Sequence, residues 1–303
     1  MENYLLHLLI LIGTYSILAY SLNLVTGFGG LIAFCHAAFY GIGAYAFTLL
    51  SIGGETHRLA DEVLYSADLS FLLALPAAPL VAGLFAFIIG WIALRFRSDL
   101  FIFATLGFQM IVFVVLHNWI ALSRGPFGIY GIPRPELFGW RINELWEYAL
   151  LIGALNAIVL PLLFILYRSP FGLALQALRD NERAAESLGI SAKRHHLAAF
   201  TVAGACAGLA GAFYAGYVTY IDPSSFGLME TIFIVSLLLL GGSGNRVGPI
   251  LGAVVMILLP EILRFVGLPS SVAANMREII YGLILILLMY FRPQGLAGSY
   301  EVK

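Results

Sequence analysis

Polar side chains within the long apolar runs are the residues best able to do chemistry. They are Asn23, Thr26, His36, Tyr45, Thr105, Gln109 and Asn156. A polar group in lipid is costly unless it faces other helices or water, so these residues are candidates for the path of a polar solute. The alternative is an interhelical hydrogen bond that only fixes packing, worth about 0.6 kcal/mol on average. We assign Asn23, His36, Tyr45, Thr105 and Gln109 to a translocation pathway, with packing as the open alternative.

Motifs for enzymatic chemistry are missing from the sequence. It contains no H-E-x-x-H or G-x-S-x-G, and the apolar runs hold no paired acids for catalysis within a membrane. The chain's lysines, Lys193 and Lys303, do not follow a P-loop glycine pattern. Cys35 and Cys206 lie in apolar runs, where they are typical of packing residues. We predict no catalytic residue, no metal site and no cofactor bound by this chain.

The composition indicates a membrane protein. Of the 303 residues, 61% are hydrophobic and 11% are charged, against about 45–50% and about 25% in soluble domains. The 16 basic residues form no run that could follow a phosphate backbone, so nucleic acid is excluded as a partner. The composition therefore predicts a protein that lies within a lipid bilayer.

The apolar runs predict an all-α membrane protein of about nine spans, with eight or ten also compatible. Residues Asn3 to Gly54 carry no charged side chain and are long enough for two crossings, with Gly27, Gly29 and Gly30 as the break. The other predicted spans are Leu69–Leu94, Leu100–Ser123, Tyr148–Tyr167, His196–Tyr220, Glu230–Gly242, Val247–Val266 and Val272–Phe291. We interpret residues 1–303 as one transmembrane domain.

The distribution of basic residues predicts the orientation. An outside N-terminus leaves most Lys and Arg in inner segments and most Asp and Glu outside, which fits the positive-inside rule and gives a cytoplasmic C-terminus.

The outer loop, residues 123–148, is rich in Gly, Pro and aromatic residues. It is typical either of an ordered, turn-rich cover at the membrane surface or of a plain connection.

The inner loop, residues 168–196, carries most of the inner charge. Its Leu175, Leu178, Ala185 and Leu188 recur at helical spacing, which predicts two short helices, and Gly189 could end the second in a left-handed conformation. Such helices suit a groove on another protein, although a solvated loop or a lipid-surface helix gives the same pattern.

Small residues at spacings of four predict close contacts between helices. Ala33, Ala37 and Gly41 form one such series, and Gly204, Gly208, Ala212 and Gly216 form another. We assign Gly41, Gly204, Gly208 and Gly252 to helix packing.

Several segments in a fixed order resemble one known family. "SLNLVTGFGGLIAFCHAAFYGIGAY", "GPFGIYGIPRP", "SPFGLALQALRDNERAAESLGISAKRHH", "GGSGNRVGPILGA" and "YGLILILLMYFRPQGL" are similar to motifs of LivM-type permeases from branched-chain amino acid ABC importers. The stretch "SDLFIFATLGF", Ser98 to Phe108, follows the family pattern only loosely. The solute is therefore left open between branched-chain amino acids, other amino acids, urea and amides.

The resemblance implies a permease subunit of a bacterial inner-membrane importer that works by alternating access. Its implied partners are a homologous permease, two cytoplasmic ATPase subunits that use the ATP, and a periplasmic solute-binding protein. The segment "AAESLGI" is similar to the family's coupling loop, which makes Arg179, Asp180, Glu182, Ala185, Glu186 and Gly189 candidates for docking the ATPase. The competing function is an ATP-independent secondary transporter or channel, and a third is a structural membrane subunit.

Overall fold

The computed structural model describes residues 2–52, 69–96, 98–137, 140–264, 282–283 and 294–297. Within these residues the protein is an all-α membrane protein with short strands on one side. Six helical stretches of the described chain are long and apolar enough to cross a bilayer. They are Asn3–Phe28, Phe71–Ala93, Leu100–Asn118, Leu145–Arg168, Ala192–Val218 and Pro223–Gly241.

The span count of nine stays a prediction. Two further predicted spans correspond to α2, His36–Ser51, and α11, Gly248–Arg264, which have 16 and 17 residues. The ninth predicted span, Val272–Phe291, lies almost entirely outside the described residues. The predicted span Leu100–Ser123 is divided in the structure, since its helix ends at Asn118 and a separate helical turn follows.

Eleven α-helices follow one another along the described chain. Their bounds are α1 Glu2–Asn23, α2 His36–Ser51, α3 Phe71–Ala93, α4 Ser98–Asn118, α5 Ile120–Ser123, α6 Leu145–Arg168, α7 Pro170–Asp180, α8 Glu182–Ser187, α9 Ala192–Val218, α10 Leu228–Gly241 and α11 Gly248–Arg264.

Burial separates central from peripheral helices. α2, α3 and α9 pack against one another, and α1 lies against α6, α10 and α11. By contrast, α3, α4 and α6 expose large apolar side chains such as Leu80, Phe103 and Leu162, as a lipid-facing surface should. The polar residues predicted from sequence lie on or against the central helices.

The predicted packing glycines lie at helix contacts too close for a side chain. A Cβ on Gly208 would come 2.3 Å from the Ala82 Cβ, and one on Gly204 would come 2.4 Å from the Ala86 Cβ. A Cβ on Gly41 would meet Phe226 at 2.9 Å, and one on Gly252 would meet the Leu237 carbonyl at 1.9 Å. These glycines set how closely α2, α9 and α11 approach their neighbours.

The outer loop is ordered where it is described. β1, Ile129–Tyr130, pairs antiparallel with β4, Tyr220–Ile221, which follows α9. β2, Glu136–Leu137, pairs antiparallel with β3, Trp140–Arg141. Of the two interpretations left open by the sequence, the structure supports the ordered cover.

Candidate functional site: the broken first span and the inner helices

The first span loses α-helical geometry at its C-terminal end. α1 passes into one π-helical turn, Leu24–Phe28, and the chain then runs without regular structure to His36. The Thr26 hydroxyl donates to the Leu31 carbonyl at 3.0 Å, which holds the bend. Gly30 has φ of 71°, a left-handed conformation that favours glycine. The predicted break at the glycine cluster is confirmed.

Asn23 joins this break to the loop between α10 and α11. Its side-chain amide donates to the Asn245 carbonyl at 2.8 Å, and its Oδ1 accepts from the Gly244 backbone N–H at 2.9 Å. Gly27 faces the same contact, because a Cβ there would lie 2.0 Å from the Asn23 Oδ1. Asn23 is fully buried. The structure gives it a packing partner, and its pathway role stays a prediction.

Gln109 of α4 supplies partners to the start of α2. The first N–H groups of a helix have no partner within the helix. The Ala38 N–H donates to the Gln109 Oε1 at 2.8 Å, and the Ala37 N–H donates to the Thr231 hydroxyl at 3.3 Å. The Gln109 amide also donates to the Phe226 carbonyl at 2.8 Å, and the side chain is 0% exposed. Gln109 therefore joins α2, α4 and the segment before α10.

Thr105 and His36 complete the contacts around the start of α2. The Phe34 N–H donates to the Thr105 hydroxyl at 3.1 Å. The His36 Nε2 and the Ser21 hydroxyl share a hydrogen bond of 3.0 Å, so the first residue of α2 lies beside α1. Both predicted pathway residues are buried with neutral partners.

Tyr45 and Asn156 lie apart from this cluster. Tyr45 packs edge-on against Phe226 with ring centroids 6.0 Å apart, and its buried hydroxyl has no hydrogen-bond partner among the described residues. The Asn156 amide donates to the Gly13 carbonyl at 3.2 Å, which ties α6 to α1. The structure thus brings Thr105, Gln109 and His36 together but not Asn23, Tyr45 or Asn156.

The inner loop forms the two predicted short helices, α7 and α8. Asn181 ends α7 and begins α8, where its side chain accepts from the Ala184 N–H at 3.1 Å. Gly189 follows α8 with φ of 86°, so the left-handed end predicted for this helix is confirmed. Leu178 and Ala185 pack together beneath the bundle, whereas Leu188, which we predicted on the apolar face, is 81% exposed.

The structure divides the predicted docking residues into two groups. The exposed group contains Asp180, Glu182, Glu186 and Gly189. Arg179 and Ala185 face the bundle instead, and the Arg179 side chain is only 11% exposed. Its guanidinium donates to the Gly27 carbonyl at 2.8 Å and, through Nε, to the Asp180 carboxylate at 2.9 Å. Arg179 therefore connects the inner helices to the broken span.

An acid within the bundle was missed by sequence reasoning. Glu230 lies in the candidate span Pro223–Gly241, and the Tyr15 hydroxyl donates to its Oε1 at 2.7 Å. The predicted span Glu230–Gly242 begins at this acid, so the sequence indicates a position at the edge of the membrane. The available signal was a single acid followed by an uninterrupted apolar run. Among the described residues, no group of three or more His, Cys, Asp or Glu side chains could hold a metal.

A family model for the permease component of branched-chain amino acid transport systems matches residues 4–289. The chain belongs to this family. It is accordingly a multi-pass membrane transport component rather than an enzyme, as the sequence predicts. No solved structure matches the chain.

Individual relatives cover nearly all of the permease chain. It is 34% identical to the high-affinity branched-chain amino acid transport system permease protein LivM of Escherichia coli, over 93% of this chain and 67% of that protein. It is 24% identical to a probable LivM of Methanocaldococcus jannaschii, over 95% and 92% of the two chains. It is 23% identical to the permease protein LivH of Salmonella typhimurium, over 96% and 93%.

Proposed function

We propose that this permease is one membrane-spanning subunit of an ATP-driven importer for branched-chain or other amino acids. Its partners are a homologous permease, two cytoplasmic ATPase subunits and an external solute-binding protein. The likeness to both LivM and LivH supports pairing of two related permeases, since both names describe permease proteins of branched-chain amino acid transport systems. The N-terminus lies outside and the C-terminus in the cytoplasm of the bacterial inner membrane.

The observation that carries the proposal is the inner pair of helices. Every residue of α8 except the buried Ala185 is exposed, and the exposed Leu188 directly follows the helix. An exposed short helix with acids and one large apolar side chain can enter a groove on a partner protein. α8 is therefore the surface to which an ATPase subunit docks.

Arg179 gives this docking surface a mechanical connection to the membrane. Movement of α7 displaces the Arg179 guanidinium, which is hydrogen-bonded to the Gly27 carbonyl in the break of the first span. Asn23, at the start of the same break, is hydrogen-bonded to the loop between α10 and α11. Closure of the ATPases on ATP thus moves the break and the helices bonded to it, which opens the pathway to one side and then the other.

The experiment separates docking from transmission with two variants. The full importer is reconstituted in vesicles, and ATP-driven uptake of L-leucine is measured beside co-purification of the ATPase in mild detergent. Glu186→Arg should lose the ATPase and uptake together, because it reverses charge on the exposed helix. Arg179→Ala should keep the ATPase but lose at least about tenfold in uptake, because the contact with Gly27 is gone.

A charge reversal on the opposite side, Glu136→Arg, is the control and should retain the ATPase. Uptake by Glu186→Arg at the wild-type rate would contradict docking on α8. ATP-independent uptake by vesicles holding this chain alone would identify a secondary transporter instead.

The class of solute is inferred from the names of the relatives alone. The names of the LivM and LivH relatives specify branched-chain amino acids, whereas a 27% identical relative from Yersinia pseudotuberculosis is named as an autoinducer 2 import permease. Urea or an amide is the alternative class. The solute retained by the co-expressed binding protein, identified by mass spectrometry, decides between them.

A further inference from the structure

Glu230 is unusual among the acids of the described spans. The other acid within a candidate span is Glu147, which belongs to the first turn of α6 and caps that helix. Glu230 is likewise in the first turn of its helix, α10, but its depth in the bilayer follows from its contact with Tyr15, which is the thirteenth of the 26 residues of the span Asn3–Phe28. Its partner Tyr15 precedes Asn23 by roughly 12 Å of helix at 1.5 Å per residue. The pair therefore lies near the middle of the membrane.

The carboxylate of Glu230 has no positive partner in the described part of the chain, where no Lys or Arg forms a salt bridge with it. Ionisable side chains in a membrane almost always face the bundle interior or water and mark a functional path. Tyr15 donates one hydrogen bond to Oε1, and an ionised carboxylate has about four acceptor sites. The single bond from Tyr15 leaves other acceptor sites of the carboxylate available to a further donor.

A second, independent observation lies beside this acid. Tyr40 of α2 is 1% exposed, and its hydroxyl has no hydrogen-bond partner among the described residues. Tyr40 and Glu230 lie where α2 meets α10, since the N–H of Ala37, one helical turn before Tyr40, donates to the hydroxyl of Thr231, which directly follows Glu230. A buried hydroxyl is normally hydrogen-bonded, and an exception calls for an explanation.

Aromatic rings surround these polar groups. Tyr15 packs edge-on against Phe233 at 5.2 Å between centroids, and Tyr40 packs against Tyr214 at 5.6 Å and Phe226 at 5.0 Å. Aromatic faces attract cations and also accept aliphatic groups. A carboxylate, a free hydroxyl and several rings together suit a ligand with one ammonium group and an apolar body.

We propose that Glu230, with Tyr15 and Tyr40, binds the ammonium group of the amino acid during its passage through the permease. This inference rests on the proposed function, since it assigns a specificity site within the same pathway. The ammonium supplies the positive charge that the described chain lacks near Glu230. Its three N–H donors can be shared between the Glu230 carboxylate and the oxygen of the Tyr40 hydroxyl.

The test uses the assembled importer with saturating solute-loaded binding protein, so that capture outside the membrane is not limiting. Glu230→Gln keeps the size of the side chain and removes its charge. It should lower the maximal rate of ATP-driven L-leucine uptake at least tenfold while the ATPase remains bound. Glu230→Asp should recover part of that loss, because it restores the negative charge.

A binding measurement distinguishes recognition from a merely structural role. The detergent-purified wild-type complex should be stabilised against heat by millimolar L-leucine but not by its α-hydroxy acid, in which a hydroxyl replaces the ammonium. Glu230→Gln should lose this preference. Equal stabilisation of the wild type by both compounds would overturn the proposal.

If Glu230→Gln does not assemble with the other subunits, Tyr40→Phe is the second test variant, since it removes only a hydroxyl group. It should lower uptake about threefold or more, whereas Tyr167→Phe, which removes a buried hydroxyl elsewhere, should not. Wild-type uptake by Glu230→Gln or by Tyr40→Phe would overturn the ammonium site and leave the proposed function intact. Absence of ATP-driven uptake in the wild-type importer would instead contradict the proposed function.

Discussion

Two polar clusters within the membrane differ in how completely their groups are paired. Around Gln109, a neutral side chain bonds two elements, and each of its polar atoms has a partner. Around Glu230, an ionisable group is half-buried and the nearby Tyr40 hydroxyl has no partner among the described residues. A fully paired neutral cluster fixes the fold, whereas an incompletely paired cluster with an ionisable group is suited to a transient ligand. Polarity alone does not separate these two roles.

The largest effect on stability is expected at the paired cluster. Gln109→Leu leaves the Ala38 N–H and the Phe226 carbonyl without this partner in a buried site, at a cost of about 1–3 kcal/mol for each unsatisfied group. The free energy of unfolding in detergent should fall by about 2–6 kcal/mol, while uptake per folded molecule is retained. Gln176→Leu on α7, which loses one bond within its own helix, is the control. An unchanged midpoint for Gln109→Leu would show that the cluster does not stabilise the fold.

A smaller loss is expected where α9 approaches α3. Gly208→Ala places a Cβ 2.3 Å from the Ala82 Cβ, so the helices must separate. Overpacking of this kind costs about 1–3 kcal/mol. Gly153→Ala on α6 meets nothing within 4 Å and should instead stabilise the helix by about 0.5–1 kcal/mol. Thermal unfolding measures both, and the comparison fails if the two variants unfold alike.

The smallest effect compares two buried tyrosines. The Tyr167 hydroxyl donates to the Tyr20 carbonyl, and Tyr167→Phe should cost about 1 kcal/mol of stability. Tyr40→Phe should cost nothing, since its hydroxyl lacks a hydrogen-bond partner in the described structure. A loss of stability in Tyr40→Phe equal to that in Tyr167→Phe would reveal a structural partner for Tyr40.

Local patterns in the sequence predicted several elements correctly. The apolar runs identified the long helices, the glycine cluster identified the break after α1, and helical spacing identified α7 and α8. Each of these depends on residues close together in the chain. Gly189 is an example, because its left-handed conformation ends the helix directly before it.

Long-range partners were beyond the reach of sequence patterns. Gln109 bonds to Ala38 and to Phe226, and neither is near it in the chain. Arg179 looked like a surface charge in a hydrophilic loop, yet its guanidinium enters the bundle toward Gly27. Pairing of this kind follows from how helices pack, and a single sequence does not contain that information.

The contact between α10 and α11 restricts how the permease can move. A Cβ on Gly252 would come 1.9 Å from the Leu237 carbonyl, and one on Gly241 would come 2.0 Å from the Gly248 carbonyl. Backbones this close cannot slide or bend past each other independently, so the two helices tilt as a single rigid body. Glu230 is part of that body. Any force reaching the loop between these helices must therefore reorient the acid within the bilayer by the same angle.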